Sequence, residues 1–127
     1  MPIPFEILHQ GRVVLITYPS AFTMAEVSSM TDAVKREILS KATEKVHTIS
    51  DLSAVTKIPA NILSLSMGMM KGKPPGIGTI IFVTPNNTMH RFARILLSLF
   101  PMQKFAICGT VAEALKEADR LIALEIT

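Results

Sequence analysis

One carboxylate lies where a small α/β domain would place a reactive group. Asp51 ends a predicted strand, and the hydroxyl residues Ser53 and Thr56 follow it within five positions. Sites in open α/β sheets gather at the carboxyl ends of strands, so we expect any site of this chain here. A single carboxylate without a partnering base or nucleophile does not make a catalytic centre. We therefore interpret Asp51 as a structural residue that accepts backbone N–H bonds from the following loop, and we expect no enzymatic activity.

The other residue types that support catalysis or metal binding form no recognisable pattern. His9, His47 and His90 lack the spacing of metal ligands, and His47 is interpreted as a core or sheet-face residue. Cys108 is the only cysteine, which excludes an internal disulfide and a cysteine zinc site. In a short apolar strand its thiol is expected to be inert. Without a phosphate-binding loop, a G-x-G-x-x-G or a G-x-S-x-G motif, no metal or cofactor is predicted.

A second candidate group consists of polar and basic residues at the start of a predicted helix. Asn87, His90, Arg91 and Arg94 fall within its first turns. Free backbone N–H groups and the positive end of the helix dipole attract anions at such a position. Two interpretations stay open: an anion site for a phosphate or a phospholipid headgroup, or a solvated basic face, which is the commoner role of such residues.

Composition indicates a single globular domain over residues 1–127. Apolar residues make up 49% of the chain and the net charge is +3, which suits one well-filled core. The mild charge, the single Tyr and the lack of Trp give neither a dense basic stripe nor a base-stacking surface, so no nucleic-acid partner is expected. No apolar run approaches the about 20 residues of a transmembrane helix, and no signal peptide is recognisable. We predict a soluble, cytoplasmic protein.

Strand and helix patterns predict the order β-β-α-β-α-β-α-β-α. The first two strands form an antiparallel hairpin, and the later strands alternate with helices, so we expect a mixed, mostly parallel five-stranded sheet covered by four helices. The fourth strand is the most apolar and is expected to be central. The strands are predicted over residues 3–9, 12–18, 46–52, 77–84 and 105–109.

Helix starts are marked by two T-x-x-E capping boxes, one at Thr23 and one at Thr110. Helices are predicted over 20–44 and 61–71, from Pro85 to the stop at Pro101, and from Thr110 onward. In the first helix, apolar residues recur at helical spacing and define one buried stripe. That stripe consists of Val27, Met30, Val34, Ile38 and Ala42.

The predicted second helix carries two apolar stripes rather than one. One stripe must face the sheet, and the other needs a separate cover. That cover is either the neighbouring first helix or a partner, namely a second copy, another protein or an apolar ligand. Flexible, polarisable methionines suit such a surface. One stripe contains Leu63, Met67 and Met70, and Asn61 lies at the start of the helix.

The segment DLSAVTKIPANILSL, which begins at Asp51, resembles the signature of STAS domains, the fold of the anti-sigma-factor antagonists. That signature runs roughly D-L-S-x-V-x-x-I-D-S-S-G-L, from a strand end into a helix. The strand and helix order also agrees, and the later pattern is similar to bacterial STAS/Sec14-related proteins. The resemblance implies a STAS-like fold and regulation through protein contacts. The matching positions are Asp51, Leu52, Ser53, Val55, Ile58 and Leu63.

The chain departs from this family pattern at the regulatory switch. In the antagonists, a kinase phosphorylates a Ser or Thr that follows an Asp at the helix start. Here Pro59 stands in place of that Asp and Ala60 in place of the hydroxyl residue. Alanine has no oxygen to phosphorylate, so the charge-adding switch is absent at this position. Ser53 and Thr56 are alternative acceptors, although loop hydroxyls more commonly bond to nearby backbone.

Two functions follow as hypotheses. The first is a non-enzymatic, homodimeric STAS-like interaction module that binds a protein partner through the second helix and the loop before it. The second is a binder or carrier of an apolar or anionic, lipid-like ligand, with the second helix as the apolar wall and Arg91 and Arg94 at the headgroup. The candidate partner-binding residues are Asp51, Ser53, Thr56, Ala60, Asn61, Leu63, Met67 and Met70.

Overall fold

A computed structural model of the chain describes residues 3–57, 76–85, 87–99 and 103–126. Five strands form one sheet in the order β1-β2-β3-β4-β5. β1 is antiparallel to β2, and β2 to β5 are mutually parallel, which confirms the predicted hairpin and the mixed, mostly parallel sheet. The strands are β1 (Phe5–Leu8), β2 (Val13–Thr17), β3 (Val46–Asp51), β4 (Ile77–Val83) and β5 (Phe105–Cys108).

The central position of the sheet belongs to β3, so the prediction that the most apolar strand is central was wrong. Each strand pairs with the strand that precedes it in the chain, so β4 lies one place from the middle of the sheet. β4 is nevertheless an interior strand, flanked by β3 and β5. An interior parallel strand is covered on both faces, which accounts for its continuous apolar sequence.

The first helix, α1 (Met24–Glu37), is shorter than the predicted 20–44. Its capping box is confirmed, since the Thr23 side chain accepts from the Glu26 N–H and Glu26 accepts from the Thr23 N–H. The hydrogen bond from the Thr23 backbone also holds the pKa of the Glu26 carboxyl below its ordinary value. Ile38 leaves the helical conformation at φ −120° and ψ −59°, and a 3₁₀ turn, Leu39–Lys41, continues the chain.

Two more helices lie in the described ranges: α2 (Asn87–Leu99) and α3 (Val111–Ile126). They correspond to the predicted third and fourth helices, while the predicted second helix, 61–71, lies outside the described residues. Thr110 accepts from the Glu113 N–H at 3.2 Å, as predicted. The return bond of Glu113 goes to the Gly109 N–H at 3.1 Å, one residue earlier than a capping box requires. Among the described helices, none is long and apolar enough to cross a membrane.

Helices pack on both faces of the sheet. One face meets α1 through its predicted stripe, and the other meets α3, where Ala114 and Ala118 are fully buried and let the helix approach closely. A third apolar cluster lies at the carboxyl ends of the strands and contains Leu52, Val55 and Phe82. The sheet residues under α1 are Val14, Ile16 and Val46, and those under α3 are Val13, Ile49, Ile81 and Val83.

Candidate functional site

Asp51 forms a tight turn at the end of β3. Its Oδ1 atom accepts from the Ser53 backbone N–H at 3.1 Å and from the Ser53 hydroxyl at 2.5 Å. An aspartate that bonds to the backbone two residues ahead is a common turn-forming arrangement. The structural role predicted for Asp51 is therefore observed.

The loop after β3, residues 52–57, is also tied to a distant part of the chain. The Ser20 carbonyl accepts from the Thr56 N–H at 2.9 Å, the Lys57 N–H at 3.1 Å and the Thr56 hydroxyl at 3.2 Å. Ser20 lies just before α1, so these bonds attach the loop after β3 to the segment that leads into this helix. Sequence reasoning missed Ser20, since no local pattern links two segments 36 residues apart.

Buried apolar side chains also hold the same loop against the core of the protein. Leu52 and Val55 are buried, and the Leu52 N–H donates to the Val83 carbonyl of β4 at 2.9 Å. The side chains of Ser53, Ala54 and Thr56 are exposed. The loop thus combines a fixed backbone with an accessible outer surface.

Tyr18 lies beside the end of β3 and joins the site to the core. Its backbone N–H donates to the Asp51 carbonyl at 3.1 Å, and its ring packs against Phe22 with centroids 5.1 Å apart. Burial raises the pKa of the Tyr18 phenol to about 12, and a side-chain hydrogen bond with Ser50 opposes that rise. Sequence reasoning did not place Tyr18 at the site, because only the strand order brings it beside Asp51.

Alkaline titration offers a direct check on this environment. Tyr18 is the only tyrosine and the chain has no Trp, so absorbance at 295 nm reports this phenol alone. We expect a native midpoint near pH 12 and a denatured midpoint near about 10. Because the pKa is raised in the folded state, the associated stability is present below about pH 10 and is lost as the pH rises from about 10 to 12. Tyr18→Phe should remove that component, whereas a native midpoint near 10 would contradict the burial.

The predicted anion-binding residues all lie on α2, between Asn87 and Arg94. Asn87, Arg91 and Arg94 are exposed and His90 is partly buried. Arg94 Nε approaches His90 Nδ1 at 3.4 Å, a long contact. Within the described ranges, no carboxylate forms an ion pair with either arginine. Both arginine side chains are accessible to solvent, and anion binding stays a prediction.

The remaining predicted partner-binding residues lie outside the described residues and stay predictions. They are Ala60, Asn61, Leu63, Met67 and Met70. Cys108 ends β5, where burial and then the nearby Glu113 and Glu117 carboxylates raise the pKa of its thiol. A raised pKa keeps the thiol protonated, in agreement with the expectation of an inert cysteine.

A buried histidine forms a separate polar cluster at the amino ends of the strands. His47 is 2% exposed within β3, which agrees with its interpretation as a core or sheet-face residue. Its Nδ1 atom accepts from the Thr79 N–H at 3.0 Å, and Nε2 lies 2.9 Å from Glu125 Oε1. A ring nitrogen that accepts from an N–H carries no proton, so Nε2 is the donor toward Glu125.

Arg12 completes this cluster and links three segments. It contacts the second carboxylate oxygen of Glu125 near the end of α3, and its Nη1 lies 2.6 Å from Glu44. Its Nε donates to the Lys45 carbonyl at 3.0 Å. The cluster fixes the end of α3 against β2 and β3. Sequence reasoning identified none of these contacts, since His47 and Glu125 are 78 residues apart.

The fold is similar to that of an uncharacterized protein of the DUF3478 family with a SpoIIAA-like fold from Shewanella loihica PV-4. The TM-score is 0.71, 91% of each chain is covered, and 10% of the residues are identical. At this identity the likeness shows the fold alone. The SpoIIAA-like fold is the anti-sigma-factor-antagonist type of fold that the STAS resemblance implied. No protein-family model matches the chain, and no curated protein is detectably similar in sequence.

Proposed function

We propose that the chain is a non-enzymatic STAS-like module that regulates a protein partner through direct contact. The loop after β3 forms one part of the contact surface, and the SpoIIAA-like fold supports this class of function. The observation that carries the proposal is the fixed backbone of this loop beneath exposed side chains. A preordered surface loses little conformational entropy on binding. The rest of the surface comprises Ala60, Asn61, Leu63, Met67 and Met70.

The module acts without the usual phosphorylation switch. Ala60 offers no hydroxyl, and the hydroxyls of Ser53 and Thr56 each bond to an oxygen within the protein. A phosphate on Ser53 would lie beside the Asp51 carboxylate, where like charges repel. We expect intact-mass spectra of protein from its own host cell to show no phosphorylated form, and phosphate on Ser53 or Thr56 would contradict this part of the proposal.

Site-specific photo-crosslinking tests the contact surface. A benzophenone amino acid replaces Ala54 on the loop, and the matched control replaces Ala112, an exposed alanine on α3. Irradiation in the host cell should give one discrete adduct from position 54 and none from position 112. An adduct of twice the chain mass indicates the homodimer, and another mass indicates a different protein.

A turn-breaking variant makes that experiment quantitative. Asp51→Ala removes both bonds to Ser53, each worth roughly 1 kcal/mol, so the adduct yield at position 54 should fall about fivefold or more. Ser53→Ala removes only the hydroxyl bond and should have the smaller effect. Equal adducts at positions 54 and 112, or a yield insensitive to Asp51→Ala, would overturn the proposed surface.

A second candidate function, the binding of an apolar or anionic lipid-like ligand, is favoured by the exposure of Arg91 and Arg94 on α2. Native mass spectrometry of freshly purified protein distinguishes the two functions. Added mass of a small molecule on each chain supports the ligand carrier, whereas clean multiples of the chain mass support the interaction module.

A further inference from the structure

The helix α2 presents a continuous exposed ridge. Asn87, Arg91, Ile95 and Leu99 recur at every fourth position and are all exposed, so they line up along one side of the helix. Ile95 and Leu99 are each 46% exposed, and they make up two of the four exposed large apolar residues in the described part of the chain. Single exposed apolar residues are ordinary, but two neighbours on one ridge form a patch.

Charge on this ridge is of one sign. The sequence of α2 contains no Asp or Glu, and the flanking Arg94 adds a second guanidinium beside Arg91. Arg12 and Arg120, in contrast, are paired with glutamates. Among the residues that the structure describes, Arg91 and Arg94 have no such carboxylate. The ridge is therefore cationic toward its amino end and apolar toward its carboxyl end.

We propose that this ridge docks an amphipathic helix of a protein partner. Carboxylates on the partner helix meet Arg91 and Arg94, since guanidinium and carboxylate groups form strong, directional pairs. Leucine-type side chains on the same helix cover Ile95 and Leu99. A ridge of i, i+4 residues packs into the groove of another helix, and a 13-residue helix is about 20 Å long, the length of three to four partner turns.

A small patch of this kind supports a weak, reversible contact rather than a permanent one, because stable interfaces bury about 800 Å² on each partner. A free phosphate would use the arginines and leave the apolar pair uncovered, which is why an acidic amphipathic helix fits the ridge better. The ridge lies on a different element from the loop after β3. It extends the proposed interaction function without depending on that loop.

Three synthetic peptides of about four helical turns test the docking. The first, called the Glu peptide, carries two Glu in one half and two Leu at i, i+4 in the other half. The second, the Lys peptide, has Lys in place of both Glu. The third, the Ser peptide, keeps both Glu and has Ser in place of both Leu. Fluorescence anisotropy should show binding of the first peptide, at least tenfold weaker binding of the third and none of the second. Amide NMR shifts caused by the first peptide should concentrate on α2.

Charge reversal provides the decisive variant. The double variant Arg91→Glu with Arg94→Glu should no longer bind the Glu peptide and should instead bind the Lys peptide. Arg36→Glu with Lys41→Glu changes the net charge equally at exposed positions outside α2 and should leave binding of the Glu peptide unchanged. Circular dichroism verifies that both double variants fold.

The docking proposal is overturned if charge reversal does not switch the preference from the Glu peptide to the Lys peptide. It is also overturned if the Ser peptide binds the parent protein as tightly as the Glu peptide does. It is also overturned if anionic phosphatidylglycerol vesicles or inorganic phosphate bind through Arg91 and Arg94 while the Glu peptide does not. The Ala54 crosslinking yield of the charge-reversal variant separates the two proposals. Retained crosslinking shows that a failure concerns the α2 ridge alone.

Discussion

Gly78→Ala is expected to lower the free energy of unfolding by about 3 kcal/mol, although it adds a single methyl group. A Cβ atom at position 78 would lie 2.5 Å from His47 Nδ1 and 2.6 Å from His47 Cε1. The ring cannot move aside cheaply, because it is buried and bonded through both nitrogens to Thr79 and Glu125. The added methyl therefore displaces the ring and costs hydrogen bonds as well as packing.

Gly109→Ala is the matched control for this substitution. The nearest atom to a Cβ there is Glu113 Oε2 at 3.7 Å, an ordinary contact, so the change in stability should stay within about 0.5 kcal/mol. Urea unfolding followed by circular dichroism measures both variants. Adding His47→Ala to Gly78→Ala should cost less than the two single changes together, since the missing ring leaves room for the methyl. Strict additivity would contradict the proposed clash.

The glycine at position 78 also shows where sequence reasoning stops. The predicted fourth strand, residues 77–84, includes Gly78, and Gly78 does lie within β4, but nothing near it in the sequence indicates why a glycine is needed there. Its small size is required by His47, 31 residues earlier on the adjacent strand. A requirement of this kind becomes visible only when strand order and register are known. The same holds for the bonds between Ser20 and Thr56 that fix the loop after β3.

Local features, by contrast, were predictable from the residues alone. The capping box at Thr23 and the turn at Asp51 join groups two or three residues apart, so their partners stand in the same short stretch of sequence. The apolar stripe of α1 was predicted correctly, since its residues as far as Ala42 pack in or against the core, although the helix itself ends at Glu37. A 3₁₀ turn with three residues per turn keeps nearly the same spacing, so the stripe does not reveal where the α-helix ends.

Glu125→Ala should show the second large effect, a loss of about 2–3 kcal/mol in the free energy of unfolding. This carboxylate serves His47 and Arg12 at once, and its removal leaves the buried His47 Nε2–H without its acceptor. Arg12 keeps Glu44, so the larger part of the cost falls on the histidine. The end of α3 loses its attachment to the sheet, and amide exchange in its last turns should accelerate more than exchange in β3.

Glu117→Ala, on the same helix, provides the comparison for a surface pair. Glu117 accepts from Arg120 Nε at 3.1 Å, which lowers the pKa of the Glu117 carboxyl, but the Arg120 side chain is 58% exposed. Exposed pairs contribute at most about 1 kcal/mol, so this variant should remain close to the parent. Glu125→Gln should fall between the two, because its amide oxygen can still accept from His47 while its NH₂ group faces Arg12. Equal stability of Glu125→Ala and Glu117→Ala would show that α3 is held by its apolar packing on the sheet alone, and that the bonds of Glu125 to His47 and Arg12 make no net contribution to its docking.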